Sequence, residues 1–436
     1  MARRDAYFMN LDNKKITIIG AKRSGIALAK LITRLNGKAK ISDQGSDDHL
    51  PLEVKDWIRK NEIAVEFNGH TQFFIEDSDL LVLSPGVRLD SQPARWAQSK
   101  GIYVLGEIEF ASQFCTQPII AITGSNGKTT VTTLMNEVLK AGGYKTSLCG
   151  NIGIPFSGCV LDLKDENFVV LEVSSFQLES IHPDGFRPHI AVFLNFNQNH
   201  LDRHKDLDEY FAAKKRIFLN QGPNDFAVIN AEIQNIRSLT SHVKSKVVYF
   251  NAPDDRRGMI QNPNHLAVLA VAQIIGISSQ VCQKVFEQFK GVEHRMEWVR
   301  CLDGVDFIND SKATTAEAGM WALRQLDRPI VIICGGRDKN IDFSVLTELV
   351  EKKVKKMLVI GEAREKIRRT FDHVAQVEEC DGIEQAVVRA KESATSGDCV
   401  LLSPMCASFD MFKDFEDRGR VFKTIVNNLK SISIHA

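Results

Sequence analysis

No stretch of this 436-residue sequence is apolar for long enough to cross a bilayer, and the opening residues, MARRDAYFMNLDNKK, lack the apolar core of a secretion signal. Net charge is absent too: 55 Lys plus Arg stand against 55 Asp plus Glu. That balance advertises no nucleic-acid or membrane surface, so neither partner is expected, although it leaves room for local basic patches. The nine cysteines contain no C-x-x-C pair, and an odd number without paired spacing reads as reduced thiols in the cytoplasm. There is no low-complexity linker and no fixed-period repeat.

Two glycines that would complete familiar nucleotide motifs are also missing. Gly20 and Gly25 bracket AKRS after the strand-like KKITII, without the middle glycine of G-x-G-x-x-G. That glycine lets backbone approach a pyrophosphate, so its loss argues against NAD and leaves a tight strand-to-helix turn as an equal reading. Further on, PIIAITGSNGKTT ends in Gly-Lys-Thr, yet Ile122 stands where the full phosphate-loop spacing G-x-x-x-x-G-K-[ST] has glycine.

What remains is a soluble α/β chain, 44% hydrophobic and 25% charged, too long for one core. Apolar strand runs alternate with amphipathic helical segments in three blocks, which predicts three domains at 1–106, 107–291 and 292–436. The expected architecture is a Rossmann-like N-terminal domain, a central P-loop ATPase domain with a mostly parallel sheet, and a Rossmann-like C-terminal domain. VDFIND, PIVIICGG, KMLVIGE and CVLLSP supply the strands of the last. In the first block, LLVLSPGV places Ser84-Pro85-Gly86 at the carboxyl edge where open sheets bind ligands.

The chemistry concentrates in the middle block. Gly124, Ser125, Asn126, Gly127, Lys128, Thr129 and Thr130 lie between a strand and the helical VTTLMNEVLKAGG, so the loop meets a helix N-terminus that favours an anion. Glu172 follows the apolar NFVVL, where an acid beside a phosphate loop serves Mg²⁺. In LDEYFAAKKRIF, Leu207, Tyr210, Phe211, Ile217 and Phe218 form one stripe at helical spacing, and Lys214 sits at its centre. Two readings stay open for Lys214. Either its stem is buried with the amine reaching water, or it is a neutral amine available for covalent chemistry or a metal or phosphate site. His200, in NHLDRH with Asp202, reads as a metal ligand or as a surface histidine.

Taken in order, these segments resemble the ATP-dependent Mur ligases of peptidoglycan synthesis. The resemblance runs from GAKRSG through the short loop GSNGKTT, GNIGIPF, EVSSFQLE, NHLDRH, YFAAKKRI, GVEHRMEWV, NDSKATT and GGRDKNIDF to CASFDMFKDFEDRGRVF, nearly the whole chain. SSFQLE and LLSPMCASFDMFKDFEDRG are similar to the members that add D-glutamate.

The resemblance implies ATP, UDP-N-acetylmuramoyl-L-alanine and D-glutamate as ligands, two Mg²⁺ sites and a monomeric enzyme forming an acyl phosphate. The first domain then takes the UDP-sugar, the second ATP and the third the amino acid. Ser24, Asp43, Gly86, Asn151 and Ser174 are implied for the sugar nucleotide. The loop residues Gly124–Thr130 with Asn262, Arg295 and Asp310 are implied for ATP. Thr129, Glu172, His200 and Lys214, the last as a carbamate, are implied around the metals, with Lys128, Glu172, His200 and Lys214 catalytic. Thr314, Lys339, Ser408 and Phe415 are implied for D-glutamate. The chain departs from the family pattern at Asn199, where Asp is usual, at Ser125, where Thr is usual, and in QNPNH (261–265), where His-Asn-x-x-Asn is usual.

Overall fold

A computed structural model of the chain describes residues 9–196, 203–233, 240, 243–252, 262–289, 291–338 and 341–430. The chain forms two compact units, Met1–Phe289 and Lys290–Ala436. Among the described residues the first unit carries two sheets and the second carries one. Among the described residues no helix is long and apolar enough to cross a membrane.

Sheet one joins β1 (Lys15–Ile19), β2 (Lys38–Ser42), β3 (Ala64–Glu66), β4 (Leu80–Leu83) and β5 (Tyr103–Gly106). All pair in parallel, in the order β3-β2-β1-β4-β5. The strand order reverses between β1 and β4, which opens a crevice at their carboxyl ends. The glycine spacing seen in the sequence has a steric cause here. Gly20 leaves β1 at φ +100°, and a Cβ on Gly25 would sit 1.8 Å from the Gly20 carbonyl oxygen. The helix Arg23–Arg34 therefore packs directly against the turn, burying Ile26, Leu28, Leu31 and Ile32 on one face.

Sheet two is β6 (Ile119–Thr123), β7 (Thr146–Gly150), β8 (Phe168–Glu172), β9 (Ile190–Phe193), β10 (Phe226–Asn230) and β11 (Lys246–Phe250). It is parallel throughout, ordered β11-β10-β9-β6-β8-β7. Both faces are covered, so its strands read as unbroken apolar runs rather than alternating ones. Ile120 and Ile122 pack in one core with Leu134, Val138 and Val268, while Ile119 and Ala121 face the opposite core with Phe110 and Phe156. β6 thus lies between β8 and β9, and the segments leaving all three emerge at one edge.

In the second unit, β12 (Glu297–Leu302), β13 (Val305–Asn309), β14 (Ile330–Gly335), β15 (Val354–Ile360), β16 (Gln376–Glu379) and β17 (Cys399–Leu402) are ordered β12-β13-β17-β14-β15-β16. β12 runs antiparallel to β13, and the rest are parallel.

One local expectation needs correction. The helix carrying Lys214 spans Leu207–Lys215 and then tightens into a 3₁₀ turn over Arg216–Phe218. Leu207, at its first turn, is 38% exposed and does not belong to the buried stripe, which runs through Tyr210, Ala213, Lys214, Ile217 and Phe218.

Candidate functional site

The loop after β6 is held open from its flank. Gly127 caps the helix Lys128–Ala141 in a left-handed conformation, φ +78°. A Cβ there would lie 2.6 Å from the Asn264 side-chain oxygen, so the loop and the start of the helix Pro263–Ile275 touch at glycine. Asn195, just beyond β9, grips the loop. Its Oδ1 accepts from the Asn126 amide at 2.8 Å, its Nδ2 donates to the Asn126 carbonyl at 3.1 Å, and its own carbonyl accepts from the Ser125 amide at 3.0 Å. Lys128 Nζ donates to the carbonyls of Gly124 (2.9 Å) and Ser125 (3.1 Å). Thr129, next in the helix, is buried, and Thr130 is half-buried.

Lys214 enters the same loop from below. Its side chain is 1% exposed and its Nζ donates to the Gly124 carbonyl at 2.9 Å, which excludes the water-reaching arrangement. Burial pushes the ammonium well below its ordinary value, the nearby Lys128 charge adds to that, and Glu172 opposes it. The Tyr210 ring lies 4.7 Å from Lys214 Nζ, and its hydroxyl is 3.2 Å from the Ser125 hydroxyl.

Glu172 closes β8 as its last residue and is buried. One carboxylate oxygen accepts from Asn151 Nδ2 at 2.7 Å, and the other is buried without a partner. An orphaned carboxylate oxygen at the end of the strand beside a phosphate-type loop is a position for a hard cation. Ser174, two residues on, closes a capping box with Gln177 at the start of the helix Ser175–Leu178. Asn262 is exposed and caps the helix Pro263–Ile275 by accepting from the Asn264 amide at 2.9 Å. His200, Asn199 and Gln261 lie outside the described residues.

At the crevice of sheet one, Asp43 follows β2 and accepts from the Ala21 amide (2.5 Å) and the Gly45 amide (2.8 Å). Ser84 Oγ donates to the Gly20 carbonyl at 3.1 Å, tying β4 to the glycine turn. Ser24 is half-buried in the first turn of the following helix, and Gly86 is exposed with open space where a Cβ would stand. A cavity of about 440 Å³ opens at the opposite, amino-terminal edge of sheet two, among Pro118, Ile119, His189 and Phe226, and includes none of the expected residues.

In the second unit, Asp310 is buried after β13, accepting from the Met296 amide and the Ser403 hydroxyl, each at 3.2 Å. Burial lifts its carboxyl to about 7, although Arg295 pulls the other way. Arg418, which the sequence did not single out, is fully buried and ties three segments together. It donates to Ser311 Oγ (3.0 Å), to the Ser311 carbonyl (2.8 Å) and to the Cys406 carbonyl (3.1 Å). Ser311 Oγ in turn donates to the Phe415 carbonyl at 2.8 Å. Half-buried Thr314 and Phe415 and buried Ser408 sit on these segments, with the Phe415 ring 5.5 Å from Lys312 Nζ. Lys339 lies outside the described residues.

Asn195, Tyr210 and Asn264 were not read as site residues. Asn195 carried the same signal as Glu172, a polar residue at the end of an apolar strand run. In the sequence Tyr210 shows only as a member of the apolar stripe.

Comparison with known proteins points to one family. The Mur ligase middle domain matches residues 122–280, and the Mur ligase glutamate ligase domain matches 294–406. A UDP-N-acetylmuramoylalanine–D-glutamate ligase of Koribacter versatilis is 38% identical over 97% of this chain and 99% of its own length. A protein of the same name from Thermoanaerobacter sp. is 39% identical over 97% and 100%. The solved structure of MurF ligase from Thermotoga maritima in complex with ADP, 15% identical, covers 95% of each chain with a TM-score of 0.57, which is a likeness of fold. The phosphate loop, the buried lysine beneath it and the full-length relatives agree: the chain belongs to the Mur ligase family.

Proposed function

We propose that the protein joins D-glutamate to UDP-N-acetylmuramoyl-L-alanine with cleavage of ATP to ADP and phosphate, in the synthesis of peptidoglycan precursors. The observation that carries the reading is the meeting of Lys128, Lys214 and Glu172 around Gly124 at one edge of sheet two, in a chain whose full-length relatives bear that ligase name. The domain roles at 1–106, 107–291 and 292–436 belong to the same proposal, as do action as a monomer and a cytoplasmic location.

In the first step, the terminal alanyl carboxylate attacks the γ-phosphorus of ATP. The β–γ bridge breaks, ADP leaves and an acyl phosphate forms. Two anions meet here, so Lys128 and the loop amides hold the phosphates where the charge builds. Removal of one such preorganised group costs about 10²–10³ in rate. The amine of D-glutamate then attacks the acyl carbon, losing a proton as phosphate departs and the amide forms. Arg295 and Asp310 serve ATP. Thr314, Lys339, Ser408 and Phe415 serve D-glutamate, and Ser24, Asp43, Gly86, Asn151 and Ser174 serve the sugar nucleotide.

The residues present suit Mg²⁺, which when bound neutralises phosphate charge. Glu172 offers its unpartnered oxygen and Thr129 a hydroxyl for one ion. His200 and Lys214, as a carbamate, would hold the second. Lys214 fits that role because carbamylation needs a neutral amine, and burial favours one. Among the described residues no group of three or more His, Cys, Asp or Glu is placed to hold a metal ion on its own.

The test is phosphate release from ATP with and without UDP-N-acetylmuramoyl-L-alanine, across D-Glu, L-Glu, L-Ala, L-Lys and meso-diaminopimelate. Release requiring both the sugar nucleotide and D-Glu is expected. Release indifferent to the amino acid refutes ligation.

A further inference from the structure

Two arginines stitch the crevice loop of sheet one to the segment that precedes the Lys214 helix. Arg203 donates from Nη1 to the Gly86 carbonyl at 2.9 Å and from Nη2 to the Val87 carbonyl at 3.4 Å. Its charge is met by Glu179, with Nη2 at 2.8 Å from one carboxylate oxygen and Nε at 3.4 Å from the other. The guanidinium also lies 4.9 Å from the centre of the Phe176 ring. From the other side Arg88, oriented by Asp90 at 2.7 Å, donates back to the Arg203 carbonyl.

The clasp continues inward. Glu179 is 3.5 Å from His204 Nδ1, and His204 Nε2 is 3.1 Å from Ser175 Oγ, three residues beyond Glu172. The His204 ring packs 5.1 Å from the Tyr210 ring, whose hydroxyl reaches Ser125 in the phosphate loop. An exposed ion pair of this kind would contribute little. Here the Arg203 side chain is only 12% exposed, and its planar fork addresses two loop carbonyls as well as a carboxylate.

We propose that Arg203 is a positioning residue that sets the register between the sugar-nucleotide crevice and the phosphate loop, an inference that rests on the ligase reading. The substrate is long. Its nucleotide end is anchored at the crevice of sheet one, while its carboxylate reacts at the edge of sheet two. Binding at the far end becomes orientation at the reacting atom only when the two loops keep a fixed spacing. Arg203 bonds the crevice loop directly and Glu179 on its other side, and from Glu179 the path through His204 and Tyr210 reaches Ser125 of the phosphate loop.

The experiment is steady-state kinetics and calorimetry on Arg203→Met, Arg203→Lys and Arg88→Met. Arg203→Met is expected to lower kcat by about 10–100-fold, the range for an ångström-scale misplacement, with KM for ATP and Kd for UDP alone within about twofold of wild type. Arg203→Lys keeps the charge opposite Glu179 but loses the fork, and is expected between the two. Arg88→Met alters an arm 43% exposed, so it leaves the fold intact and lowers kcat by about three- to tenfold. Wild-type kcat in both Met variants overturns the proposal. So does a joint fall of UDP affinity, ATP affinity and unfolding midpoint, which marks a merely structural role. If the wild-type enzyme itself releases no phosphate in response to the sugar nucleotide, the ligase reading fails and takes this proposal with it.

Discussion

The Nζ of Lys214 and the carbonyl oxygen of Gly124 are 2.9 Å apart, although 90 residues separate them in the chain. Gly124 opens the phosphate loop, so the buried amine is bonded to the element proposed to hold the nucleotide. Its cost of burial is concentrated where chemistry takes place.

Lys214→Met separates the two consequences. Ligation is expected to fall by about 10³ or more, at or above the upper end of the range for a lost electrostatic group, while the protein stays folded. Below its ordinary 10.5 the amine takes up a proton in the unfolded chain, but in the folded chain only far lower. The unfolded state therefore binds more protons across that window, and wild type loses stability relative to Lys214→Met as pH falls from 10.5. Chemical denaturation at several pH values measures the gap. Near-normal turnover in the variant sinks the carbamate role.

Asn195→Ala removes both side-chain hydrogen bonds that hold Asn126. At about 1 kcal/mol for each bond, KM for ATP is expected to rise roughly 10–30-fold with KM for D-glutamate unchanged. An unaltered ATP titration would show that the loop needs no grip from β9.

Gly127→Ala meets two obstacles, the left-handed backbone and the Asn264 side-chain oxygen 2.6 Å from the new Cβ. Adding Asn264→Ala clears the contact but not the conformation, which alone costs roughly 1–2 kcal/mol. The double variant is expected to recover only part of the lost ATP affinity. Full recovery by calorimetry would place the whole effect in the contact.

Asp310→Asn tests the raised carboxyl. Its folded value of about 7 against 3.8 means that the folded chain binds the extra proton between those two values. Wild-type stability from this group is therefore present in acid and lost as pH rises through 7. About three pKa units at roughly 1.4 kcal/mol each put the penalty near 4 kcal/mol. The variant is expected to be more stable than wild type at pH 8 and to converge with it toward pH 4. Parallel curves would refute the shift.

Long buried strands such as PIIAIT and PIVIICGG were legible because both faces of a parallel sheet are covered, which leaves continuous apolar runs. β3 and β16, AVE and QVEE, were not, because edge strands are short and carry polar residues. β12 was missed for a related reason: EWVRCL mixes polar and apolar residues at an antiparallel edge. Lys214 stood out because a charge interrupted an apolar period. Leu207 was misassigned because that period ignores where a helix begins, and its first turn faces solvent. Arg203 and Arg418 gave no such signal. Each is an arginine among other charges, and its importance lies in carbonyl oxygens that only the folded backbone brings within reach.

Arg418 has a consequence for inheritance. Ser311, Cys406 and, through Ser311, Phe415 all hang on one guanidinium, so the segments bearing Thr314, Ser408 and Phe415 are yoked. None of them drifts freely on its own. A loop transplanted from a relative whose backbone runs differently there arrives without its matching acceptors, leaving a buried cation short of partners. Change in this unit is therefore accepted as a block, with the three segments and their shared arginine exchanged together.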